Sequence, residues 1–291
     1  MVGVTRKRLP SWLKRKLPGA STKVTRAILE QYRVNTVCES ALCPNCGECF
    51  SQSTATFMIL GRSCTRRCGF CAVESGAGEP VCSDEPERVA RAAKAMRLRY
   101  VVVTSVTRDD LADEGAGQFA ETVRAIRCEI PETKIEVLTP DFHARRELIA
   151  RVSGARPDVF NHNLETVARL QRDIRPQADY DRSLRVLSQV KEICPELVTK
   201  SGLMAGLGET DAEMLEAAAD LRKAGCDILT IGQYLSPGPG HWPVAKFKTP
   251  TEFEELGKVL RGMGFRNVFS GPWVRSSYQA GEVFRHSESI F

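Results

Sequence analysis

The sequence has 291 residues, enough for one large domain or two modest ones. Its 42% hydrophobic and 26% charged residues are ordinary for a globular protein, and no apolar run is long enough to cross a membrane. The net charge of +5 is too small to indicate nucleic-acid binding. The basic N-terminal stretch lacks the apolar core of a secretory signal. We therefore expect a cytoplasmic protein with neither a membrane nor a nucleic-acid partner.

Short apolar runs alternate with amphipathic stretches along most of the chain. The runs predict strands at residues 56–60, 100–104, 134–138, 158–161, 198–203 and 228–235. The stretches predict helices at residues 85–96, 117–130, 144–152, 180–193, 211–224 and 251–263. Thr251 is the predicted cap of the last helix, with Glu254 completing a capping box.

This alternation is typical of parallel βαβ units, and six units predict a partial (β/α)6 barrel. A doubly wound open sheet is the alternative that periodicity leaves open. In both folds, functional residues are expected in the loops that follow the strands. We predict an N-terminal extension at residues 1–53, the barrel at 54–265, and a C-terminal extension at 266–291, with both extensions covering the barrel mouth.

Eleven cysteines are the most informative feature of the composition. Without a secretory signal the compartment is reducing, which argues against a disulfide framework. Seven cysteines fall between Cys38 and Cys71, and clustered thiols in such a protein indicate metal ligands. Cys82, Cys128, Cys194 and Cys226 are scattered singly and are interpreted as small core residues.

The first cysteine cluster is Cys64-x3-Cys68-x2-Cys71, directly after the first predicted strand. Three thiolates can hold three irons of a 4Fe–4S cluster and leave the fourth iron open to a small chelating ligand. The amine and carboxylate of S-adenosylmethionine (SAM) form such a chelate. Cys68 and Cys71 also resemble half of a zinc site, but no second pair follows at zinc spacing.

The second cluster contains Cys38, Cys43, Cys46 and Cys49. Spacing leaves two groupings open: a ferredoxin-like run of the last three, or Cys38-x4-Cys43-x5-Cys49 with Cys46 left over. A structural zinc site that uses all four is a third possibility.

Polar residues after the later strand runs are candidates for holding SAM. Asn163 and Glu165 follow the run that ends at residue 161, and Arg175 is suited to a bidentate contact with a carboxylate. Lys200 is a weaker candidate, and His162 is interpreted as a structural histidine. The stretch TRDDLADEGA contains four carboxylates, those of Asp109, Asp110, Asp113 and Glu114, which form either an acidic loop near SAM or a solvated loop.

From about residue 37 to 281 the chain resembles the radical SAM superfamily and, within it, the lipoyl synthase family. The segments that carry the resemblance include CESALCPNCGEC, RSCTRRCGFCAV, DVFNHNLETVARL, TKSGLMAGLGE and GPWVRSSY. The chain departs from the family pattern at Cys46, which is an extra cysteine, and at Glu114, where the family usually has glycine.

The resemblance implies two 4Fe–4S clusters. One is bound by Cys64, Cys68 and Cys71 and receives SAM, and an auxiliary cluster is bound by Cys38, Cys43 and Cys49. A serine of the RSSY motif, Ser276 or Ser277, is the implied fourth ligand, and Ser277 is favoured. A hard serine oxygen among soft thiolates is a weakly matched iron ligand that can be released.

The implied activity is radical SAM sulfur insertion at C6 and C8 of a protein-bound octanoyl-lysine, which gives lipoyl-lysine. A 5′-deoxyadenosyl radical removes the hydrogen atoms, and the auxiliary cluster is the sulfur donor. Implied partners are the octanoylated lipoyl-carrier domains of a 2-oxoacid dehydrogenase E2 or of a glycine cleavage carrier protein, and an electron donor such as ferredoxin or flavodoxin. The alternatives are a methylthiotransferase, sulfur insertion into a free small molecule, and a metal-stapled binding protein without turnover.

Overall fold

The computed structural model describes residues 8–14 and 22–288. Its eight strands form one sheet in chain order, β1 to β8. β1 pairs antiparallel with β2, and every later neighbouring pair is parallel. The strands are β1 (Asn35–Thr36), β2 (Thr56–Ile59), β3 (Tyr100–Ser105), β4 (Lys134–Leu138), β5 (Val159–Asn161), β6 (Val198–Ala205), β7 (Ile228–Gln233) and β8 (Asn267–Gly271).

Helices follow the parallel strands and cover the outside of the sheet. They are α1 (Lys23–Gln31), α2 (Val37–Ser40), α3 (Cys46–Ser51), α4 (Glu85–Ala95), α5 (Ala116–Glu129), α6 (Arg146–Gly154), α7 (Ala168–Ile174), α8 (Tyr180–Ile193), α9 (Asp211–Lys223), α10 (Pro250–Arg261) and α11 (Ala280–Glu288). Within the described ranges, no helix has both the length and the apolar character that a membrane crossing requires.

The partial barrel prediction is confirmed. All six predicted runs are strands, and β2 and β7 are buried along their whole length because helices cover one face and the barrel interior the other. The strands are added in chain order without a reversal, so the doubly wound alternative is wrong. Strand β8 pairs with β7 and β1 with β2, so both edges of the sheet extend beyond the predicted six strands.

The predicted cap of the last long helix is wrong by two residues. Thr249, not Thr251, is the N-cap of α10, and its hydroxyl accepts a hydrogen bond from the backbone N–H of Glu252. The Glu252 carboxylate accepts the Thr249 backbone N–H in return, so the capping box is formed by these two residues rather than by Thr251 and Glu254. Pro250 at the first helical position explains the shift, since its fixed φ suits the start of a helix.

The described parts of the two predicted extensions contact each other. The Trp273 indole N–H donates to the Trp12 carbonyl at 3.0 Å, and the Trp12 indole N–H donates to the Lys248 carbonyl at 3.3 Å. Asn45 donates from Nδ2 to the Trp273 carbonyl at 2.8 Å. Residues far apart in the sequence are therefore joined beside the carboxyl ends of the strands.

Candidate functional site

The loop with Cys64, Cys68 and Cys71 is shaped by backbone hydrogen bonds to several parts of the barrel. The Cys64 N–H donates to the Glu74 carbonyl at 2.8 Å, and the Gly76 N–H donates to the Cys64 carbonyl at 2.9 Å. The Gly69 N–H donates to the Ile174 carbonyl at 2.7 Å. Backbone hydrogen bonds therefore hold the loop that carries the three thiols at Cys64 and at Gly69.

Arg66, inside this loop, forms a buried ionic cluster that the sequence analysis missed. Its guanidinium donates two hydrogen bonds to Asp109, both at 2.8 Å, and two to Asp141, at 2.9 and 2.8 Å. Asp141 follows β4 and its side chain is fully buried. The Arg66 guanidinium holds the pKa of the Asp141 carboxyl well below its usual range. The cluster fastens the cysteine loop to the ends of β3 and β4.

The second cysteine loop lies between β1 and β2. Cys38 is buried in α2, and the Cys43 N–H donates to the Cys38 carbonyl at 3.0 Å. Cys49 lies in α3, whose first residue is Cys46. Leu42 has a φ of 49°, in the left-handed region, so the chain turns sharply just before Cys43.

Both cysteine loops open onto one cavity of about 530 Å³ at the carboxyl ends of the strands. Its lining includes Cys38, Cys43 and Cys49 from one loop, Cys64, Cys68 and Cys71 from the other, and Ser276 and Ser277 from the RSSY segment. Cys46 is not part of this lining. The six thiols predicted to bind two clusters therefore share a chamber, and the extra cysteine faces elsewhere.

The donor chemistry of the lining suits iron–sulfur clusters. Each of the two cysteine loops contributes three soft thiols to the cavity, and cysteine thiolates are the ligands that hold such clusters.

The cysteine thiols are poor acids in this environment. Burial raises the pKa of Cys38 and Cys71 to about 12 and that of Cys49 to about 11, and neighbouring cysteines reinforce the shift. Burial also raises the pKa of Cys68, an effect opposed by Arg175. Iron binding must therefore displace protons from these thiols.

Asn163, Glu165 and Arg175, the candidates for holding SAM, all line the cavity. Asn163 donates from Nδ2 to Glu165 Oε1 at 3.0 Å, and Arg175 donates to the Leu164 carbonyl at 3.0 Å. Burial raises the pKa of Glu165, an effect opposed by Arg175 and Asn163. The positive charge of Arg175 is close enough to Cys68 to oppose the rise in the pKa of that thiol, so Arg175 lies beside the first cysteine cluster.

Several buried polar atoms of the cavity lining have no hydrogen-bond partner within the described part of the chain. They are Asn45 Oδ1, Ser105 Oγ, Thr139 Oγ1, His162 Nε2 and Arg175 Nε. Buried polar atoms are almost always paired, so a cavity with five unsatisfied ones is suited to a polar ligand. SAM, with its ammonium, carboxylate and ribose hydroxyls, fits this lining.

One ring nitrogen of His162 has a structural hydrogen bond, as expected, and the other has no partner among the described residues. Its Nδ1 hydrogen-bonds the Thr139 carbonyl at 2.9 Å, which makes Nδ1 the protonated nitrogen and leaves Nε2 with a free lone pair. Burial lowers the pKa of His162 to about 4, with Arg175 adding to the shift. The ring is therefore neutral near pH 7.

Lys200 is not part of the cavity lining, so its prediction as a SAM ligand is wrong. It is buried inside the barrel and contacts both carboxylate oxygens of Glu136 at 2.9 Å. A lysine in the middle of a strand points into the barrel, where a carboxylate on another strand satisfies it.

The four carboxylates of TRDDLADEGA lie outside the cavity lining. Asp109 pairs with Arg66, Asp110 with Arg108, and Asp113 with Arg151. Glu114 has a φ of 49°, the conformation that favours glycine, and its carboxylate lies 3.0 Å from His143 Nδ1. The other oxygen of this carboxylate lies 3.7 Å from the Arg145 guanidinium, so Glu114 forms an ion pair with Arg145.

All eleven cysteines are free thiols in this structure. The core assignment of the single cysteines is correct for Cys226 but wrong for Cys82 and Cys128, which are exposed. Cys82 lies in the polar loop before α4, and Cys128 is on the solvent side of the last turn of α5. Cys194 is half-buried.

The cysteine loop at the carboxyl ends of parallel strands defines a radical SAM protein, and the Radical SAM superfamily model matches residues 58–221. The chain belongs to that superfamily. It is 54% identical over 282 residues to "Lipoyl synthase 2" of Thermosynechococcus vestitus, covering 94% of this chain and 97% of the relative. It is 52% identical over 273 residues to "Lipoyl synthase" of Caldanaerobacter subterraneus subsp. tengcongensis, covering 94% and 96%. The chain is therefore a member of the lipoyl synthase family and a radical SAM enzyme that inserts sulfur.

Solved structures support the fold. A methylornithine synthase superposes with a TM-score of 0.53 at 13% identity, covering 96% of this chain and 90% of that one. HydG, a maturase of the FeFe hydrogenase, superposes with a TM-score of 0.54 at 15% identity, covering 84% and 62%. At these identities the likeness concerns the barrel alone.

Proposed function

We propose that this enzyme inserts sulfur at C6 and C8 of an octanoyl-lysine on a lipoyl-carrier protein and so forms lipoyl-lysine. The observation that carries the proposal is the single cavity lined by two cysteine triads and the RSSY serines. A radical enzyme that only cleaves SAM needs one triad. The second triad on the same cavity supports a sulfur donor within reach of the substrate.

The residues divide between the two clusters. Cys64, Cys68 and Cys71 would hold the cluster that receives SAM, and Cys38, Cys43 and Cys49 would hold the auxiliary cluster with Ser277 as fourth ligand. Cys46, outside the cavity lining, is left unused. In this division residues 1–53 and 266–291 supply the auxiliary ligands, and residues 54–265 supply the barrel apart from β8. When bound, the reduced cluster and SAM supply the radical that removes hydrogen atoms, and the auxiliary cluster supplies sulfur.

The protein residues position the reactants and exclude water. Asn163, Glu165 and Arg175 would bind the polar groups of SAM, with Arg175 beside Cys68 suited to its carboxylate. His162 Nε2 and Thr139 Oγ1 offer further polar contacts. The apolar lining around Met58, Val106 and Leu138 is suited to an aliphatic chain.

The proposed partners are the octanoylated carrier domains of a 2-oxoacid dehydrogenase E2 or of a glycine cleavage carrier protein, and a one-electron donor such as ferredoxin or flavodoxin. The test is anaerobic reconstitution followed by incubation with SAM, a reductant and a peptide that contains octanoyl-lysine. Mass spectrometry is expected to show two sulfurs gained and two hydrogens lost, and 5′-deoxyadenosine is expected to form.

The matched controls are Cys38→Ala and Cys46→Ala. Cys38→Ala is expected to cleave SAM without transferring sulfur, and Cys46→Ala is expected to behave as the wild type. SAM cleavage by the wild-type enzyme with an unchanged peptide would show that the substrate is wrong. Sulfur transfer by Cys38→Ala would show that the donor is wrong.

A further inference from the structure

The two neighbouring serines of the RSSY segment line the same cavity but have different surroundings. Ser276 Oγ accepts a hydrogen bond from Asn161 Nδ2 at 2.7 Å and donates one to Asn163 Oδ1 at 3.0 Å. The Ser277 hydroxyl makes no hydrogen bond within residues 8–14 and 22–288. Ser276 is therefore fully engaged by the protein, and Ser277 is available to a ligand.

The direction of each hydrogen bond around Ser276 is fixed by carboxylates. Asn163 donates from Nδ2 to Glu165, and Asn161 donates from Nδ2 to Glu136 at 2.8 Å. Glu136 is paired with Lys200 and therefore only accepts, so Asn161 turns its NH₂ group toward it, and Asn163 likewise turns its NH₂ group toward Glu165. Asn163 then presents its oxygen to Ser276, and the Ser276 proton must point to it. As an iron ligand, Ser276 would lose this hydrogen bond.

The far end of this chain of hydrogen bonds is anchored in the barrel interior. Glu136 is fully buried, contacts Lys200 with both oxygens, and accepts a hydrogen bond from the Tyr100 hydroxyl at 2.7 Å. A buried ion pair is costly to form, and it is rigid when all its hydrogen bonds are made. The network thus links strands β3 to β6 to the RSSY segment.

Glycines allow the close approach of these groups. A Cβ on Gly232 of β7 would lie 1.9 Å from the Val274 carbonyl oxygen, so the RSSY segment crosses β7 where there is no side chain. A Cβ on Gly202 would lie 2.9 Å from Asn163 Oδ1, the acceptor of the Ser276 proton. The two glycines therefore leave room for the RSSY segment and for Asn163, and so for the hydrogen bond between Ser276 and Asn163.

We propose that Ser276 is a positioning residue that ties the segment carrying Ser277 to Asn163, on the side of the cavity that binds SAM. The inference rests on the proposed function, in which Ser277 binds the auxiliary cluster and sulfur is inserted twice. The tether keeps the segment in place when the Ser277 oxygen leaves iron, so that the second insertion takes place in an unchanged site. It also fixes the orientation of Asn163 toward Glu165.

The test compares Ser276→Ala, Ser276→Thr and Ser277→Ala in the reconstituted enzyme. Iron per chain, SAM affinity by equilibrium dialysis without reductant, and the ratio of singly to doubly sulfur-substituted peptide are measured. Ser276→Ala is expected to keep about eight irons, as two cubanes require. It is expected to weaken SAM binding about fivefold, the usual effect of losing one hydrogen bond, and to raise the singly substituted fraction. Ser276→Thr, which keeps the hydroxyl, is expected to resemble the wild type.

Ser277→Ala is expected to alter the auxiliary cluster and to leave SAM affinity within about twofold, because no hydrogen bond joins Ser277 to Asn163. Three results would overturn the proposal. The first is a Ser276→Ala variant with the SAM affinity and product ratio of the wild type. The others are equal losses in Ser276→Ala and Ser276→Thr, and a loss of iron in Ser276→Ala alone. If the wild-type enzyme cleaves SAM without modifying the peptide, the proposed function fails. Dialysis and iron counts still report on the tether in that case.

Discussion

Arg66 and Asp141 are joined by two hydrogen bonds of 2.9 and 2.8 Å, and both side chains are almost completely removed from solvent. Arg66 belongs to the cysteine loop and Asp141 to the loop after β4. This pair connects the residues expected to hold the first cluster to the frame of the barrel.

Replacing Arg66 with methionine should therefore destabilise the protein and lower its iron content. The change removes both short hydrogen bonds to the buried Asp141 carboxylate and leaves it only the Arg182 guanidinium, 3.3 Å away. Breaking a buried ion pair completely costs about 3–5 kcal/mol, so the expected loss is about 2–3 kcal/mol. Urea unfolding and iron analysis measure the two effects. Arg67→Met is the matched control, because the Arg67 side chain is exposed and only its backbone N–H is held, by Gln177. Equal stability of the two variants would contradict the prediction.

Removal of Cys46 should leave both clusters intact. Cys43 and Cys49 line the cavity and Cys46 does not, so Cys46→Ala is expected to retain about eight irons per chain. Cys43→Ala and Cys49→Ala are expected to lose the auxiliary cluster and to retain about four. Iron and sulfide analysis after anaerobic reconstitution distinguishes the cases. A loss of iron in Cys46→Ala that matches that in Cys49→Ala would support the ferredoxin-like grouping instead.

The free energy of unfolding should rise with pH between about 4 and 6.5, where His162 is neutral in the folded protein but protonated in the unfolded chain. The unfolded chain takes up this proton near pH 6.5 and the folded protein only near pH 4, so the unfolded state binds more protons between these values. The effect on the free energy of unfolding is about 1 kcal/mol between about pH 5.5 and 7.5. His162→Gln should lose this part of the pH dependence, as urea unfolding at the two pH values would show. His143→Gln, at a half-exposed histidine, is the control and should retain it.

Gly232→Ala should displace the RSSY segment. The new methyl group would lie 1.9 Å from the Val274 carbonyl oxygen, too close for either backbone to remain in place. Overpacking of this kind costs about 1–3 kcal/mol. Hydrogen exchange should become faster at residues 274–278, and the urea midpoint should fall. Gly238→Ala, where a Cβ meets nothing within 4 Å, should change neither quantity.

The barrel was predictable because its strands are buried on both faces and therefore form continuous apolar runs. β1 has two residues and β8 reads NVFSG, so neither forms such a run. The last helix was misplaced because Thr249 and Thr251 both precede a glutamate by three residues, and the sequence pattern does not rank them.

The first cysteine triad, Cys64, Cys68 and Cys71, could be proposed from local spacing, whereas spacing left the grouping in the second cluster open. The contacts of Ser276 with Asn161 and Asn163 were not predictable, because they join residues more than a hundred positions apart. Lys200 was misassigned for the same reason: its partner Glu136 is 64 positions away, on another strand. The ion pairs of Arg66 could have been suspected from the sequence, since an arginine between two motif cysteines needs a hydrogen-bond acceptor nearby.

The contact between Asn45 and Trp273 has a consequence for biosynthesis. Asn45 is buried, and its amide donates to the carbonyl of a residue translated 228 positions later. At about 5–20 residues per second, the loop with Cys43 and Cys49 is synthesised roughly 10–45 s before Trp273. During that interval the segment that later encloses these thiols does not yet exist. The second cysteine loop therefore reaches its final surroundings only when synthesis of the chain is nearly complete.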